Sequence, residues 1–368
     1  MTDTETDLDR EMQHTMHKFD TTNTRIAIMC NSFSGNAGID RVVAWQAKNL
    51  SGLPGNSVTI FTLEQEILPP DGVDIQVIEM PQGFMMKRLW RLLFPLDVIK
   101  ITQWLPKLKD YDIIYSHQYP LNWLAYLGKK LYGAKYIYYH HHLDPPEVYE
   151  GLLQRVYIRL LNFLTLWSAK KADGAISISQ YSRETLLEEI GLDSVVIYNE
   201  IDKDRFHQGI DGSKVKYKYG LHDDPVILYV GRIAPSKRIH LLIKAFFTVK
   251  KTFPDAKLMI IGKELFNDYR EDLRKMSDSS VIFTGFVSDD ELPYYYAACD
   301  VYATASLWEG FNLPLVEAQM CGKQVVAFNI GAHSEVVSPE NGLLVPPSDT
   351  CALAGAIVEI LSLHRPRH

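Results

Sequence analysis

Short runs of β-branched and aromatic residues recur along the whole chain, and this repetition constrains the fold more than any other feature. A stretch with helical spacing of its apolar residues follows most runs. Strands buried on both faces and separated by helices form parallel sheets. The first half contains the runs Arg25–Cys30, Val58–Leu63, Ile75–Met80, Ile113–His117, Tyr136–His141, Ala175–Ser179 and Val195–Asn199. The second half contains the runs Val226–Gly231, Lys257–Gly262, Val281–Gly285, Val301–Ser306, Gln324–Asn329 and Leu343–Val345.

These two series of runs predict two domains, because a chain of 368 residues exceeds what one hydrophobic core usually supports. We predict an α/β protein with two doubly wound, Rossmann-like parallel sheets that face a central cleft, where a ligand would bind. Residues 23–200 would form the first domain and residues 225–368 the second, joined by the charged connection 201–224. Residues 1–22 are polar and acidic, which is typical of a disordered tail.

Composition argues against several classes of protein. The net charge of -7 gives no basic stripe for nucleic acid, so we expect no nucleic-acid partner. The chain contains no run of about 18 apolar residues and no signal peptide, which predicts a cytoplasmic protein without a membrane-spanning helix. No Cys-x-x-Cys pair occurs, which predicts neither a zinc site nor a disulfide framework and fits a reducing compartment; the cysteines are Cys30, Cys299, Cys321 and Cys351.

Two glutamates, Glu309 and Glu317, bracket the segment with the most chemical information. This segment follows the predicted strand Val301–Ser306, and Pro314 is a typical first helical residue. Glu309 would therefore lie in a strand-to-helix loop and Glu317 in the first turn of the helix. Open α/β sheets bind ligands at this edge, where two carboxylates could accept hydrogen bonds from sugar hydroxyls. The alternative is that Glu317 only interacts with the helix dipole, by about 0.3–1 kcal/mol.

A second strand-to-helix segment begins where the strand ends at Gly231. Ser236 is a suitable N-cap for the helix that follows. Arg232 and Lys237 would then lie beside a helix N-terminus, where cationic side chains can bind phosphate oxygens. The alternative is a solvated basic loop. Glutamates at the same edge of the sheet favour the phosphate site.

Taken together, these segments resemble the retaining glycosyltransferases of family 4, which have the two-domain GT-B fold. The resemblance covers nearly all of residues 24–350. Its matching pieces are Gly231-Arg232 with Lys237, Gly262 after its strand, Phe283 to Val287, Glu309 to Glu317, Ile197 to Asp202 and Ser334 to Val336. Two segments differ from the family pattern: Glu200 stands where a small residue is usual, and the Gly-Gly-Xaa-Pro-Glu motif becomes Gly331-Ala332-His333-Ser334-Glu335.

The resemblance implies a role for each matching residue. Arg232 and Lys237 would hold the donor diphosphate and stabilise the charge on the leaving nucleotide. Glu317 would bind the ribose hydroxyls, and Glu309 would contact the transferred sugar. The rest of the donor site would be lined by Gly231, Gly262, Gly310, Phe311, Asn312 and Leu313. The resemblance also implies that no metal ion is needed.

In the first half, a loop with Gly35 and Gly38 leaves the first strand. It resembles the Gly-rich first loop of the family, which implies that its backbone would approach the donor diphosphate and the acceptor. A plain turn is the alternative. His140, His141 and His142 end the fifth run, but adjacent strand residues point to opposite faces, so the three cannot converge on one metal ion. By resemblance, one of them would lie near the donor sugar. His141 is our first choice among the three.

The segment Gly83–Lys109 combines six basic residues with one acid and with aromatic residues that include Trp90, Phe94 and Trp104. Such a pattern is typical of a helix that lies on a membrane surface, which would suit a lipid-linked acceptor on the inner face of the membrane. The alternative is an ordinary helix whose apolar face fills the core.

The sequence therefore predicts a retaining, metal-independent hexosyltransferase that moves a sugar from a UDP- or GDP-sugar to an acceptor hydroxyl in glycolipid, polysaccharide or glycan assembly. The donor is a substrate, and no cofactor is predicted. Alternatives are a sugar phosphorylase or nucleotide-sugar epimerase on a similar fold, or a non-catalytic nucleotide-sugar-binding subunit. GT-B proteins usually continue with a final helix beyond the point where this chain stops, so we expect a chain truncated at its end.

Overall fold

The computed structural model describes residues 22–34, 38–149, 151–264 and 267–364. The described residues divide into two compact units, with the division between Glu200 and Ile201. Each unit contains a parallel sheet and its own buried core. Gly35 and almost all of the predicted tail 1–22 lie outside the described residues. The predicted connection 201–224 belongs to the second unit and includes a short helix.

The first unit is built on a seven-stranded sheet with the order β3-β2-β1-β4-β5-β6-β7. The strands are β1 (Arg25–Cys30), β2 (Ser57–Thr62), β3 (Val73–Val77), β4 (Ile113–Ser116), β5 (Lys135–His140), β6 (Gly174–Ser177) and β7 (Val195–Val196). Its helices are α1 (Gly38–Ser51), α2 (Phe84–Leu93), α3 (Val98–Trp104), α4 (Leu121–Tyr132), α5 (Leu152–Ala169) and α6 (Gln180–Ile190). Every residue of β1, β2 and β5 after the first is buried, as expected of strands covered on both faces.

The second unit is built on a six-stranded sheet with the order β10-β9-β8-β11-β12-β13. The strands are β8 (Val226–Val230), β9 (Lys257–Ile261), β10 (Val281–Gly285), β11 (Val301–Thr304), β12 (Gln324–Phe328) and β13 (Gly342–Val345). Its helices are α7 (Ser213–Tyr219), α8 (Ile239–Val249), α9 (Asn267–Lys275), α10 (Leu292–Ala298), α11 (Leu313–Met320), α12 (His333–Val336) and α13 (Thr350–His364).

All thirteen apolar runs predicted from the sequence form strands, so the predicted α/β architecture with two parallel sheets is confirmed. The predicted ends differ by a few residues. Polar and glycine residues that close several runs, such as His117, Ser179 and Gly231, lie in the loops after the strands. These loops are the places where an α/β sheet presents its functional side chains.

Both sheets reverse their strand order at one point. The chain builds outward from β1 to β3 and then returns to place β4 on the other side of β1; β8 and β11 have the same relation in the second sheet. Ligands of open α/β sheets bind outside the carboxyl ends of the strands at such a switch point. A ligand is therefore expected at the loops after β1, β4, β8 and β11.

The four cysteines differ in exposure. Cys30, Cys299 and Cys321 are buried, and burial raises their pKa values to about 12, about 12 and about 11. Cys351, in the last described helix, is exposed. All four are free thiols. Within the described residues, no helix has the length and apolar character needed to cross a membrane, and no group of three or more His, Cys, Asp or Glu side chains could hold a metal ion.

Candidate active site

The loop after β8 passes very close to the loop after β9. Gly231 has a φ of 155° and Gly262 a φ of 154°. A Cβ atom on Gly262 would lie 1.8 Å from the carbonyl oxygen of Gly231, a distance that no pair of such atoms tolerates. Position 262 therefore requires glycine, because two backbone segments approach each other closely there. The missing side chain leaves the end of β8 uncovered at this point.

The chain beyond Gly231 does not enter its helix as the sequence suggested. Pro235–Lys237 forms a 3-10 turn, Arg238 adopts the left-handed conformation with a φ of 49°, and α8 begins only at Ile239. The prediction that Ser236 caps this helix is wrong, because the 3-10 turn and the left-handed residue separate Ser236 from the helix and no side chain caps it. Arg232 is exposed at the start of the same loop.

Lys237 and Glu309 form an ion pair that joins the loops after β8 and β11. The Nζ atom of Lys237 lies 2.6 Å from Oε1 of Glu309, and the two side chains are 17% and 13% exposed. Burial alone would raise the pKa of Glu309, but the nearby Lys237 ammonium and a hydrogen bond from Ser306 lower it below its ordinary value. Glu309 is therefore an ionised carboxylate in a nearly water-free setting.

Asn312 occupies the position before α11 with a left-handed φ of 71°. Its amide nitrogen donates to Nε2 of the buried His333 over 2.9 Å, and Nδ1 of His333 donates to the carbonyl of Phe328 over 2.7 Å. Burial lowers the pKa of His333 against the opposing effect of Glu309, so the ring is neutral and both nitrogens are satisfied. The hydrogen bonds of His333 thus connect the loop before α11 to the segment that follows β12.

Glu317 lies in the second turn of α11, so its predicted place in the first turn is wrong. The left-handed Asn312 starts the helix at Leu313, which makes Glu317 the fifth helical residue. Its side chain is 2% exposed, and the hydroxyl of Tyr296 donates to Oε2 over 2.8 Å. Because the Glu317 carboxylate is almost fully buried, its orientation is set by hydrogen bonds within the protein and not by water.

The structure brings most of the predicted donor residues to one edge of the second sheet. Lys237 and Glu309 touch, and Gly310, Phe311, Asn312 and Leu313 continue directly from Glu309 into α11. The side chains of Phe311, Asn312 and Leu313 are buried, so their backbone rather than their side chains is suited to meet a ligand.

In the first unit, the loop after β1 is tied to the start of α1 by a buried carboxylate. Asp40 accepts hydrogen bonds from the hydroxyl of Ser32 over 2.9 Å and from the backbone N–H and hydroxyl of Ser34 over 3.0 and 2.7 Å. Gly38 is the first residue of α1. Gly35, the other predicted glycine of this loop, lies outside the described residues.

The three consecutive histidines separate onto two faces of the sheet, as strand alternation predicts. Nε2 of His141 lies 2.7 Å from Nδ1 of His117, whereas Nδ1 of His140 lies 3.1 Å from the hydroxyl of Tyr138. His142 is packed near His140. Burial lowers the pKa of His117 and of His140 to about 3, and it lowers the pKa of His141 well below the ordinary value. The rings of His117, His140 and His141 are therefore neutral.

Sequence reasoning missed three residues that hold the candidate site residues in place. Asp40, His117 and His333 are buried polar side chains whose partners lie in other segments of the chain. His117 ends the β4 run, and Ser116 pairs with Tyr138 on β5, so the register would have placed His117 beside Tyr139, two residues before His141. His333 lies between Ala332 and Ser334, the two departures from the family motif, and these departures were the visible signal at that position.

Helix α2 exposes its apolar side chains instead of burying them. None of its residues is buried, and Phe84, Met85, Met86, Leu89 and Leu93 are between 46% and 72% exposed. Trp90 of α2 is partly buried and packs against the core of the first unit, so α2 meets the core through this residue while most of its apolar side chains are exposed. Two predicted surface aromatics behave differently, because Phe94 and Trp104 follow the helix and are buried in the core.

Helix α5 continues this surface. The guanidinium of Arg88 on α2 lies 4.5 Å from the ring centre of Phe84 and 4.9 Å from that of Tyr157 on α5. The exposed apolar side chains of α5 are Leu152, Leu153, Val156, Leu160, Phe163 and Trp167. We call the exposed apolar residues of both helices, together with Lys87, Arg88, Arg91, Arg155 and Arg159, the α2–α5 surface.

Two family models match the chain: Glycosyltransferase Family 4 over residues 37–205 and Glycosyl transferases group 1 over residues 213–368. The chain belongs to glycosyltransferase family 4. The Family 4 model covers most of the first unit, and the group 1 model covers most of the second unit with the loops after β8 and β11.

Curated glycosyltransferases resemble the chain at moderate identity. It is 29% identical over 52% of its length to the GDP-mannose-dependent alpha-(1-6)-phosphatidylinositol monomannoside mannosyltransferase of Mycolicibacterium smegmatis, of which the match covers 53%. It is 26% identical over 84% of its length to the UDP-Gal:alpha-D-GlcNAc-diphosphoundecaprenol alpha-1,3-galactosyltransferase of Escherichia coli, of which the match covers 85%. The chain spans about half the length of several of the curated relatives that it matches.

Solved structures agree on the fold. HepE from Anabaena, in complex with UDP and glucose, superposes with a TM-score of 0.72 at 24% identity, covering 92% of this chain and 90% of HepE. The predicted GT-B fold is confirmed by this match together with the two parallel sheets.

Proposed function

We propose that the chain transfers a sugar from a UDP- or GDP-sugar to an acceptor hydroxyl, with retention of configuration and without a divalent metal ion. The observation that carries this proposal is the Lys237–Glu309 ion pair between the loops after β8 and β11. It places a cation and an anion side by side at the switch point of the second sheet, where α/β folds bind nucleotides. Membership in family 4 supports the same activity.

Lys237 is suited to hold the donor diphosphate. An ammonium group has three donors, so Lys237 can keep one hydrogen bond to Glu309 and direct the others to phosphate oxygens. Arg232, exposed at the end of β8, supplies a second cation with a fork-shaped set of donors. Positive charge fixed before the reaction stabilises the negative charge that develops on the departing nucleotide.

Glu317 is suited to bind the ribose. A carboxylate has about four acceptor positions, and the Tyr296 hydroxyl fixes its orientation by occupying one of them. Vicinal hydroxyls of a ribose are donors that such a carboxylate accepts, as acidic residues do in dinucleotide folds. In the same proposal, Glu309 contacts the transferred sugar while it orients Lys237.

The reaction that we propose breaks the bond between the anomeric carbon and the diphosphate oxygen, and the electron pair leaves with the nucleoside diphosphate. The acceptor oxygen forms its new bond to the anomeric carbon on the same face. Its proton passes to an oxygen of the departing phosphate, which acts as the base. His141 would lie near the donor sugar and hold it by a hydrogen bond.

A donor screen followed by product analysis tests this function. Thermal shifts with UDP-, GDP- and ADP-sugars would identify the donor, and the glycosylated product would then be characterised. Lys237→Met should weaken donor binding and abolish transfer. Lys257→Met is the matched control, because Lys257 makes a partly buried ion pair with Asp224 at the opposite end of the same sheet. Phosphate-dependent cleavage, epimerisation without acceptor, or full transfer by the Lys237 variant would refute the proposal.

We also propose that the α2–α5 surface rests on an anionic membrane, where a lipid-linked acceptor is found. Its exposed apolar side chains would enter the boundary between headgroups and acyl chains, and its arginines and lysine would meet lipid phosphates. Charge complementarity therefore favours a bilayer with negative lipids over a neutral one. A contiguous apolar area of this kind is unusual on a protein without such a partner.

Vesicle flotation tests the membrane contact. The protein should float with vesicles of phosphatidylglycerol and phosphatidylcholine and remain in solution with phosphatidylcholine alone. Replacing Met85 and Leu89 together by serine should abolish flotation. Tyr217→Ser on α7 is the control, since Tyr217 is an exposed aromatic outside this surface. Equal flotation of the Met85 and Leu89 variant, or no binding to anionic vesicles, would overturn this proposal.

A further inference from the structure

A chain of hydrogen bonds runs behind His141. The Nε2 atom of His141 lies 2.7 Å from Nδ1 of His117, and Nε2 of His117 lies 2.9 Å from Oε1 of Gln46 on α1. His117 is 2% exposed and Gln46 is also buried, whereas His141 is only half-buried. The ring of Tyr139 stacks on both histidines, with ring centres 4.7 and 5.0 Å away. His141 is thus the most exposed member of this hydrogen-bonded chain.

The chemistry of these atoms fixes where the protons are. An amide oxygen only accepts, so Nε2 of His117 must carry a proton for Gln46. A neutral His117 then offers a lone pair at Nδ1, and His141 must donate to it from Nε2. A neutral His141 has its remaining lone pair at Nδ1. No hydrogen bond from the described residues is made to that atom.

We propose that Gln46 and His117 are positioning residues that hold His141 in the tautomer with its proton on Nε2, so that Nδ1 presents a hydrogen-bond acceptor to a sugar hydroxyl. The sugar contact rests on the proposed transferase function, whereas the tautomer does not. A ring free to exchange tautomers would offer a donor to the sugar part of the time. With the tautomer fixed, Nδ1 of His141 can only accept, so it pairs with a sugar hydroxyl that donates a hydrogen bond.

A purely structural role is the competing explanation, because three stacked aromatic rings also fill space. His117→Phe separates the two explanations, since phenylalanine preserves a stacking ring but removes both nitrogens. Gln46→Leu removes only the first acceptor of the chain. Tyr138→Phe is the matched control: Tyr138 is buried on the same strand but contacts His140 on the opposite face.

Nuclear magnetic resonance of protein with ¹⁵N-labelled histidine reads each tautomer directly from long-range couplings. We expect both His117 and His141 to carry the proton on Nε2 in the natural protein and in the Tyr138 control. In His117→Phe, His141 should become a mixture of tautomers, and Gln46→Leu should loosen the preference of His117. A His141 proton on Nδ1, or an unchanged His141 in His117→Phe, would overturn the proposal.

Donor binding supplies the second readout. His117→Phe should weaken binding of the preferred nucleotide sugar by about 3- to 10-fold, the range of one neutral hydrogen bond. Binding of the nucleoside diphosphate alone should not change, because it has no sugar to meet His141. Equal weakening for both ligands would indicate a structural role and refute the positioning role. A natural protein that binds no nucleotide sugar would refute the proposed function and the sugar contact, while the tautomer measurement would still decide the role of His117.

Discussion

At Glu309, burial and charge pairing act on the same carboxyl group in opposite directions, and the Lys237 ammonium prevails. The pKa of Glu309 is lowered although its side chain is largely out of water. The folded protein therefore binds this proton less readily than the unfolded chain does. The pair stabilises the protein above the ordinary pKa of glutamate, and this contribution is lost as the pH falls through the lowered pKa of the folded state.

Removing the cation should reveal the cost of the buried carboxylate. We expect Lys237→Met to lower the free energy of unfolding by about 3 kcal/mol at neutral pH, because an unpaired buried charge remains. The pKa of Glu309 should then move above its ordinary value. Adding Glu309→Gln should recover part of the loss. Urea denaturation at neutral pH and at about pH 4 measures this; a penalty that does not shrink in acid would contradict the explanation.

Gly262 offers a test that does not involve charge. We expect Gly262→Ala to destabilise the protein by about 1–3 kcal/mol or more, because a side chain there combines a strained backbone with a clash against Gly231. Gly355→Ala in α13 is the control, since its new Cβ would meet nothing within 4 Å. Thermal unfolding would show the difference. Equal melting temperatures for both variants would mean that the two loops are not this close.

At the scale of elements, strands were predicted well and helix starts were not. Runs such as Arg25–Cys30 are apolar on both faces, which few structures other than a buried parallel strand accommodate. The starts of α8 and α11 depend on Arg238 and Asn312, which adopt left-handed conformations that residues other than glycine seldom adopt. Sequence patterns gave no sign of these conformations, so Ser236 and Glu317 were misplaced.

The exposure of α2 leads to a prediction about the free energy of unfolding. Because no residue of α2 is buried, replacing Met85 and Leu89 by serine should change the free energy of unfolding by less than about 0.5 kcal/mol. Leu124→Ala, at a buried position of α4, should cost about 2–5 kcal/mol. Urea denaturation would compare the variants. A large loss from the α2 substitutions would show that Met85 and Leu89 themselves pack against the core.

At the scale of the whole molecule, the donor residues and His141 fall into different compact units. Arg232, Lys237, Glu309 and Glu317 follow the division at Glu200, whereas His141 precedes it. Sequence reasoning identified the four donor residues from their local strand-to-helix contexts, whereas His141 was chosen by resemblance to the family. It did not predict that Lys237 pairs with Glu309, since they are separated by 72 residues and meet only because β8 and β11 are neighbours.

Separate cores lead to a prediction about fragments. The buried cluster of the second unit draws only on residues after Glu200, so a fragment of residues 201–368 should fold alone. It should bind the nucleoside diphosphate of the preferred donor, because Arg232, Lys237 and Glu317, the charged side chains proposed to contact the diphosphate and the ribose, lie within it. A fragment of residues 22–200 should not bind it. Circular dichroism and calorimetry would measure folding and binding; binding by the first fragment instead would contradict the assignment.

The uneven exposure of the cysteines has a practical consequence for fluorescent labelling of this protein. Three thiols are shielded and resist ionisation, whereas Cys351 is open to solvent at the beginning of α13. A maleimide dye should therefore attach at a single site of the native protein without any mutagenesis. Fluorescence from that site would report on the second unit while donors and vesicles are added.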